Sequence, residues 1–483
     1  MTLSARALVF DTARLLGANT VTRVIGIIAL VFYARLLSPS DLAALPVFLL
    51  LGAFTTIPFN LGLYPTLMRD VPRLLVTNEQ DALGMIRTTV LTIGVGVIIA
   101  GFGYAFLSPL IARVYLGSYG SAPLVLWMVT GTVLRGWDEM ITFVMRATRE
   151  VGLLTSKKLI SEIGQPVLAL ALLPALGVRG MILGQTLGLA VGLAWGAYGV
   201  RRYLFRKTSA IPLGPLVRRS RPYYLEGFVF FLTQQGDQAL VGALLSPTAL
   251  AAYYVARRVP DALGLILYSV EEVMGPTLSR AAAEGQAAVA RAFRVMTMIV
   301  GAFVLPAGVL GASLASAYVT LVGRASYGFV IPAVVILSLA TVCQGGVTVT
   351  SQAALALGHP SDRLKITVTF AVLLLALTAV TAQLGLTAVA VGRGTAIAFA
   401  SLVGFWLTRD VRPPVPWNDL GRVVAPAILL AVTVIGLQSL SNSLWLVPVF
   451  AALGATIFGA ALYFSFGPER RRLLIGDMDP MRS

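Results

Sequence analysis

The sequence is poor in the residues from which most protein chemistry is built. Its 483 residues include one cysteine, Cys343, and one histidine, His359. A single cysteine excludes an internal disulfide, and a single histidine excludes a histidine-based metal cluster or a pair of histidine acid/base groups, so redox, zinc and haem chemistry are poor fits. Charge is scarce as well: 12% of residues are charged, against about 25% in an average soluble domain. What is abundant is apolar: 57% of the chain, with a mean hydropathy of +0.85. That balance excludes a secreted enzyme, a cytosolic enzyme and a disordered adaptor, and it assigns the chain to the polytopic membrane class.

Apolar runs of about 20 residues, the length that crosses a bilayer as helix, number fourteen, from 14–37 to 443–466. The fourth (122–146), seventh (223–245) and eighth (249–275) are interrupted by charge. The first run is too long for the apolar region of a cleaved signal peptide and lacks a small-residue cleavage site, so it reads as a retained span. The net charge of +16 then becomes a test of orientation. With the amino terminus inside, Lys and Arg gather on internal segments, and only Arg113, Arg179 and Arg324 fall outside. Positive charge resists translocation, so both termini are expected in the cytoplasm, and topology accounts for the basic balance with no nucleic acid partner.

The chain repeats itself. Leu36-Leu37-Ser38-Pro39-Ser40-Asp41-Leu42 returns as Leu244-Leu245-Ser246-Pro247-Thr248-Ala249-Leu250, an offset of 208 positions. Pro65-Thr66-Leu67-Met68-Arg69 returns as Pro276-Thr277-Leu278-Ser279-Arg280, and Leu176-Gly177 with Gly184 as Leu384-Gly385 with Gly392. Six spans per unit leave the next unit in the same orientation, so the reading is of an all-α polytopic membrane protein with two parallel six-helix repeats. These are an amino-terminal lobe at 1–207 and a second lobe at 208–412, followed by two accessory spans and a cytoplasmic tail at 413–483, after the link Pro413-Pro414-Val415-Pro416. Such halves suit alternating access around a cavity, with Pro46, Pro58, Pro166, Pro260 and Pro306 as candidate bends, although proline is common in membrane helices without acting as a hinge.

A charge at the centre of a spanning helix costs about 2.5–3.5 kcal/mol on insertion scales, so those that persist face the bundle interior or a wet cavity. The basic residues within the spans are Arg23, Arg35, Arg135, Arg257, Arg258 and Arg393; the acidic ones are Asp138, Glu139, Glu162, Asp237 and Asp261, with Glu271 and Glu272 near an inner end. Helical spacing pairs Arg135 with Asp138 and Glu139, and Arg257 with Asp261. Arg35, near a helix end, is as well suited to snorkelling as to a cavity. Arg23, with Asn19 one turn earlier and no acid within four positions, and Arg258, about 100° round the helix from Arg257, lack local counterions. Guanidiniums in that state suit a mobile anion. Their donor fork matches phosphate oxygens bidentately, although a carboxylate would also fit. Asp237, in Gln234-Gln235-Gly236-Asp237, is open to three roles: a proton carrier, a sodium ligand, or a partner of Arg393. None of these charges recurs in the other repeat. Phe231 stands where Arg23 would return, and Leu49 where Arg257 would.

The run Arg23-Val24-Ile25-Gly26 followed by Ala34-Arg35-Leu36-Leu37-Ser38-Pro39-Ser40-Asp41-Leu42 resembles the opening of the polysaccharide flippases of the multidrug/oligosaccharidyl-lipid/polysaccharide exporter (MOP) superfamily. Asp237-Gln238-Ala239-Leu240-Val241-Gly242-Ala243-Leu244-Leu245 running into Ala252-Tyr253-Tyr254-Val255-Ala256-Arg257-Arg258-Val259 resembles that family's seventh and eighth helices. The resemblance implies a V-shaped bundle of two six-helix lobes with two accessory helices. It implies carriage of undecaprenyl-pyrophosphate-linked oligosaccharide from the inner to the outer leaflet of the cytoplasmic membrane. It places Arg23, Arg257 and Arg258 at a cationic cavity and Asp237 at an ion site; the reading of the residues themselves adds Asn19 and Arg35 to the cavity and Arg393 and Asp261 as coupling or gating residues. The eleventh span departs from the pattern: it offers Thr367, Thr369, Thr378 and Thr381 but no Asp or Asn. That leaves a proton as reasonable a coupling ion as sodium. No other cofactor is implied. The partners implied are the lipid-linked oligosaccharide, the bilayer, and a polysaccharide polymerase and glycosyltransferases, around a monomeric carrier.

Two alternatives remain at this stage. A drug/cation antiporter of the same superfamily expects an acidic, aromatic-lined cavity, which the arginines disfavour. A membrane polymerase or glycosyltransferase usually needs a large extramembrane loop, but the longest here, about 204–222 and 67–83, are short, with no paired carboxylates, serine elbow or phosphate-cradling glycine loop outside the bilayer.

Overall fold

A computed structural model describes residues 5–206, 208, 211–410, 417–440 and 447–465. The proline-rich link at 413–416, the tail from 466, and the side chains of Asn19 and Glu272 lie outside the described residues. Everything regular in the described residues is helix, and the chain divides into two compact units, Met1–Ala251 and Ala252–Ser483.

The first unit contains α1 (Ala5–Leu36), α2 (Pro39–Leu42), α3 (Ala44–Asn60), α4 (Leu63–Thr77), α5 (Glu79–Phe106), α6 (Ser108–Leu116), α7 (Ala122–Ala147), α8 (Val151–Leu204) and α9 (Leu213–Leu244). Helix α10 (Pro247–Glu284) crosses the boundary. Between α1 and α2 the Ser38 hydroxyl oxygen accepts the Asp41 backbone N–H at 3.1 Å, and Pro39 opens the helix, a start that needs no amide hydrogen there. Leu61 and Gly62 then take left-handed conformations, φ 48° and 72°, and separate α3 from α4. A side chain at Gly62 would meet the Ser220 carbonyl at 2.3 Å, so α9 packs directly onto this turn. Leu63, Tyr64, Leu67 and Val71 form one face of α4 and close over Ile86, Ile141 and Val144, the centre of the unit's core.

Helix α8 is a 54-residue hairpin. Gly177, at φ 59° and ψ −141°, reverses it, and the arms meet along small residues: a Cβ on Gly180, Gly184 or Gly188 would lie 2.2 Å from the backbone of Leu172, Ala169 or Gln165. Close backbone approach of this kind replaces the hydrophobic drive that is missing between helices in lipid.

The second unit continues with α11 (Gln286–Ser313), α12 (Ala315–Gly323), α13 (Ile331–Ala356), α14 (Pro360–Thr381), α15 (Leu386–Leu407), α16 (Trp417–Leu440) and α17 (Val447–Ser465). Its core joins Leu267, Met274, Phe293, Val300 and Val349, with a second cluster around Phe370, Leu374 and Ile397. The internal repeat is visible as shared local structure. Ser246 caps α10 through the Ala249 N–H at 3.2 Å, as Ser38 caps α2. Gly385, at φ 96°, reverses α14 into α15, as Gly177 reverses α8.

The expectation of fourteen spans, and with it the division into six, six and two, is corrected by these helices. Among the described residues, seven are long and apolar enough to cross a membrane: Pro39–Asn60, Glu79–Phe106, Val151–Leu204, Gln286–Ser313, Tyr327–Ala356, Pro360–Leu384 and Leu386–Leu407. Val151–Leu204 enters this count once although Gly177 folds it into two arms, which correspond to the separate runs 151–176 and 178–203 of the sequence reading. The sequence reading also accepted runs such as α7 and α10, whose internal charges remove them from that class, and two late runs whose described apolar stretches are Val423–Gln438 and Ala451–Ala461. The apolar outer face is plain on α5, where Val95, Ile99, Phe102 and Phe106 are exposed, a surface suited to lipid.

Candidate functional site

In the first unit, Arg23 is exposed on α1 between the exposed Val21 and Val24, and it has no hydrogen-bond or ion-pair partner among the described residues. Arg35 is exposed on the last turn of α1, where the helix dipole favours a cation. Asp237 on α9 is 0% exposed, and its Oδ1 accepts the Gln238 backbone N–H at 2.8 Å. In the second unit, Arg257 is 5% exposed and donates to Asp261 Oδ1 at 3.3 Å, the pair that helical spacing predicts. Arg258, one position on, is half-buried with its guanidinium 3.9 Å above the Tyr254 ring, and it has no carboxylate partner among the described residues. The Tyr318 hydroxyl donates to the Val255 carbonyl at 2.9 Å and fixes α12 against this stretch of α10. Arg393 is buried on α15 with its guanidinium 5.8 Å from the Phe370 ring centroid.

Between α7 and α8 lies an ionic cluster that the sequence reading assigned differently. Arg135 stays within electrostatic reach of Asp138 and Glu139, and contacts between helices are added to that local grouping. Lys157 Nζ lies 2.6 Å from Asp138 Oδ2 and also donates to the Asp138 carbonyl at 3.1 Å and to Thr142 Oγ1 at 2.6 Å. Arg135 donates to Gln165 Oε1 at 2.9 Å, while Gln165 Nε2 donates to Ser161 at 3.1 Å. Gly52 on α3 makes room for this arginine, since a Cβ there would lie 2.5 Å from Arg135 Cδ. In sequence, Lys157 is one of the Lys and Arg residues counted on internal segments. The signal that would have found it is the spacing Lys157, Ser161, Gln165, which places three polar groups on one face of α8.

A second charged region joins α4 to α9. Arg69 holds Asp70 at 2.7 Å and donates to the Tyr223 hydroxyl at 3.0 Å, with Arg219 3.7 Å from Asp70. The Arg69 hydrogen bond pulls the Asp70 carboxyl below its ordinary value, and burial opposes that shift. Beside it, Leu61, Gly214, Val217, Arg218, Arg221 and Tyr224 line a cavity of about 310 Å³.

With this geometry in hand, comparison with known proteins defines the class. The fold matches a solved lipid II flippase, MurJ, in an inward closed conformation, with TM-score 0.74, 12% identity, and coverage of 92% of this chain and 97% of that one. It also matches an inward-facing multidrug resistance MATE-family transporter of the MOP superfamily, with TM-score 0.68, 15% identity, and coverage of 83% and 97%. A MOP superfamily transporter from Pyrococcus furiosus matches with TM-score 0.54 and 15% identity over 83% and 93%. The architecture is therefore that of the MOP-superfamily transporters. Residues 32–327 match the family model described as polysaccharide biosynthesis protein. The chain belongs to that family. No curated protein matches it in sequence.

Proposed function

We propose that this multi-pass membrane protein is a flippase that moves polyprenyl-pyrophosphate-linked oligosaccharide from the inner to the outer leaflet by alternating access. The observation that carries the reading is Arg258: a guanidinium set among buried residues of α10, braced by an aromatic face, with no carboxylate partner among the described residues. Arg23 on α1 is in the same position electrostatically. A cation left uncompensated in an apolar bundle is stabilised by an anion that arrives and leaves, and the arginine fork suits a phosphate group. Arg257, held by Asp261, positions that part of α10.

The family and the fold agree with this reading, and the solved lipid II flippase is a relative in fold whose cargo is also a lipid. The reading includes a cytoplasmic membrane location with both termini inside, and the excess of Lys and Arg over Asp and Glu supports it. It acts as a monomer downstream of glycosyltransferases that build the repeat unit and upstream of a polymerase that consumes it. Transport is ion-coupled, with buried carboxylates such as Asp237 as coupling candidates and Arg393 as a gating cation.

The test is reconstitution in liposomes with a labelled polyprenyl-pyrophosphate oligosaccharide, scoring its accessibility to an external glycosidase. Arg258→Ala is expected to lower the rate about 10- to 100-fold, the loss of about 1.5–3 kcal/mol from a charge-assisted hydrogen bond, with the protein still folded. Wild-type rates from Arg23→Ala and Arg258→Ala together would overturn the reading. Dye efflux without movement of the oligosaccharide lipid would point to a multidrug transporter instead.

A further inference from the structure

The start of α9 presents two unlike faces. Leu216, Arg219, Ser220 and Tyr223 share one of them, at the spacing of a single helical stripe, and fasten the helix to α4. Leu216 is buried in the core of the unit, Ser220 and Thr66 share a hydrogen bond at 2.8 Å, Arg69 donates to the Tyr223 hydroxyl at 3.0 Å, and Arg219 lies 3.7 Å from Asp70. Gly214, Arg218, Arg221 and Leu225 recur at the same kind of spacing on the opposite face. There Arg218 and Arg221 line the cavity of about 310 Å³, together with Val217 and Tyr224 and with Leu61 from the turn between α3 and α4.

The arginines of the two faces differ in what accepts their donors. The Asp70 carboxylate is engaged by Arg69 and Arg219. Arg218 and Arg221 are exposed and have no hydrogen-bond or ion-pair partner among the described residues. A second feature favours an anion at the same place. Helix α9 begins at Pro212 without a side-chain cap, its first turn reaches the cavity at Gly214, and the amide N–H groups at a helix start attract phosphate. A third feature gives the depth. The membrane-length helix Pro39–Asn60 ends one residue before Leu61, so the cavity sits at the end of a span. Leu225, one turn beyond Arg221 and within the apolar run 223–245, is 52% exposed. Cations at the end of a span, followed one turn farther on by an exposed apolar side chain, match an amphiphile better than a small ion.

We propose that this cavity binds the phosphate headgroup of an anionic phospholipid, a lipid distinct from the one transported. Arg218 and Arg221 direct their donor forks at the phosphate oxygens, the first turn of α9 adds its amide groups, and an acyl chain lies along Leu225. Ligand pockets run from about 300 to 1,000 Å³. A cavity at the small end of that range suits one phosphate with a small alcohol better than a chain of several sugars. A headgroup held there bridges the α3–α4 turn and α9, so binding stabilises the packing of the two. The inference goes beyond the transport reading and does not depend on the cargo assigned above.

The test uses the full-length protein purified in detergent with no cargo lipid present. Phosphatidylglycerol, phosphatidylcholine and inorganic phosphate are titrated in separate arms. Native mass spectrometry counts bound lipid, and the unfolding temperature reads the stabilisation that a ligand of the folded state confers. Phosphatidylglycerol is expected to bind about 10- to 30-fold more tightly than phosphatidylcholine, the effect of two basic side chains on an anionic lipid. In the double variant Arg218→Gln, Arg221→Gln that preference should fall to about one to threefold. Arg219→Gln, whose guanidinium faces Asp70, should keep the wild-type preference. Equal binding of the two lipids by the wild type, an undiminished preference in the double variant, or an equal loss in Arg219→Gln overturns the site. If the double variant unfolds at a lower temperature before lipid is added, Arg221→Glu alone is measured, and a wild-type preference there overturns the site as well. Inorganic phosphate that stabilises the wild type as much as phosphatidylglycerol does, and displaces it, overturns the lipid as the ligand. The expected lipid preference in a protein that moves no oligosaccharide lipid removes the cargo reading and leaves this site in place.

Discussion

On α8, the Lys157 ammonium has each of its three N–H bonds directed at an acceptor, whereas on α10 the Arg258 guanidinium has the face of Tyr254 and no carboxylate. Both are cations carried into apolar helical bundles, Lys157 buried and Arg258 half-buried, so each carries a desolvation cost. The difference is in what offsets it. Around Lys157 the compensation is built into the chain, with Asp138 and Thr142 one turn apart on the facing helix, so the charge holds two helices in register. Around Arg258 the compensation is partial, and the remaining donors are open to a guest. Burial alone therefore does not mark a functional charge; the inventory of its acceptors does.

The sharpest way to break this comparison is to remove one partner of the compensated pair. Lys157→Met leaves Asp138 buried and unpaired, and it should cost about 3–5 kcal/mol, the usual penalty for an uncompensated buried charge. Thermal unfolding in detergent should show a large loss that Asp138→Leu in the same chain partly restores. A smaller loss, about 1–3 kcal/mol from overpacking, is expected for Gly188→Ala, because its Cβ would meet the Gln165 backbone nitrogen at 2.2 Å in the α8 hairpin; a shift in unfolding temperature measures it. Tyr254→Leu should lower transport without loss of fold by a fraction of the Arg258→Ala effect. A cation–π contact contributes about 0.5–2 kcal/mol, and flipping rates in liposomes report it.

The smallest effect lies at the membrane surface. The Asp70 carboxyl is held below its ordinary value of 3.8 by Arg69. Because the folded value is the depressed one, the stabilisation is complete above that ordinary value and is lost as pH falls through the lowered one. Arg69 is nearly half exposed, so the contribution is about 1 kcal/mol or less. Unfolding followed from neutral to acid pH should lose this contribution at the acid end in the wild type and show no such loss in Asp70→Asn.

Much of the local structure was legible in the sequence. Ser38-Pro39 and Ser246-Pro247 mark two helix starts because the hydroxyl and the missing amide hydrogen act within four residues of each other. Gly177 and Gly385 mark two reversals because only glycine takes those angles at low cost. The Arg257–Asp261 pair is likewise a one-turn contact. The number of spans was not legible in the same way. A window of apolar residues cannot distinguish an apolar helix from α7, whose charges meet partners on a neighbouring helix. The spacing groups Arg135 with Glu139, but it does not show the bond that Arg135 also makes to Gln165 on the neighbouring helix.

Composition and short-range pattern alone determined that this chain lives in a membrane as helices, carries more fixed positive charge than it can neutralise, and repeats a capped and glycine-reversed plan. Those properties depend on contacts within a few residues or on the average affinity of side chains for water. Which charges are satisfied and which are left for a guest was decided only by the tertiary structure. Lys157 meets Asp138 across nineteen positions, Arg135 meets Gln165 across thirty, and Tyr64 meets Phe143 across a wider gap still. Electrostatic compensation in a low-dielectric interior acts over a few ångströms of space, and distance along the chain does not measure that.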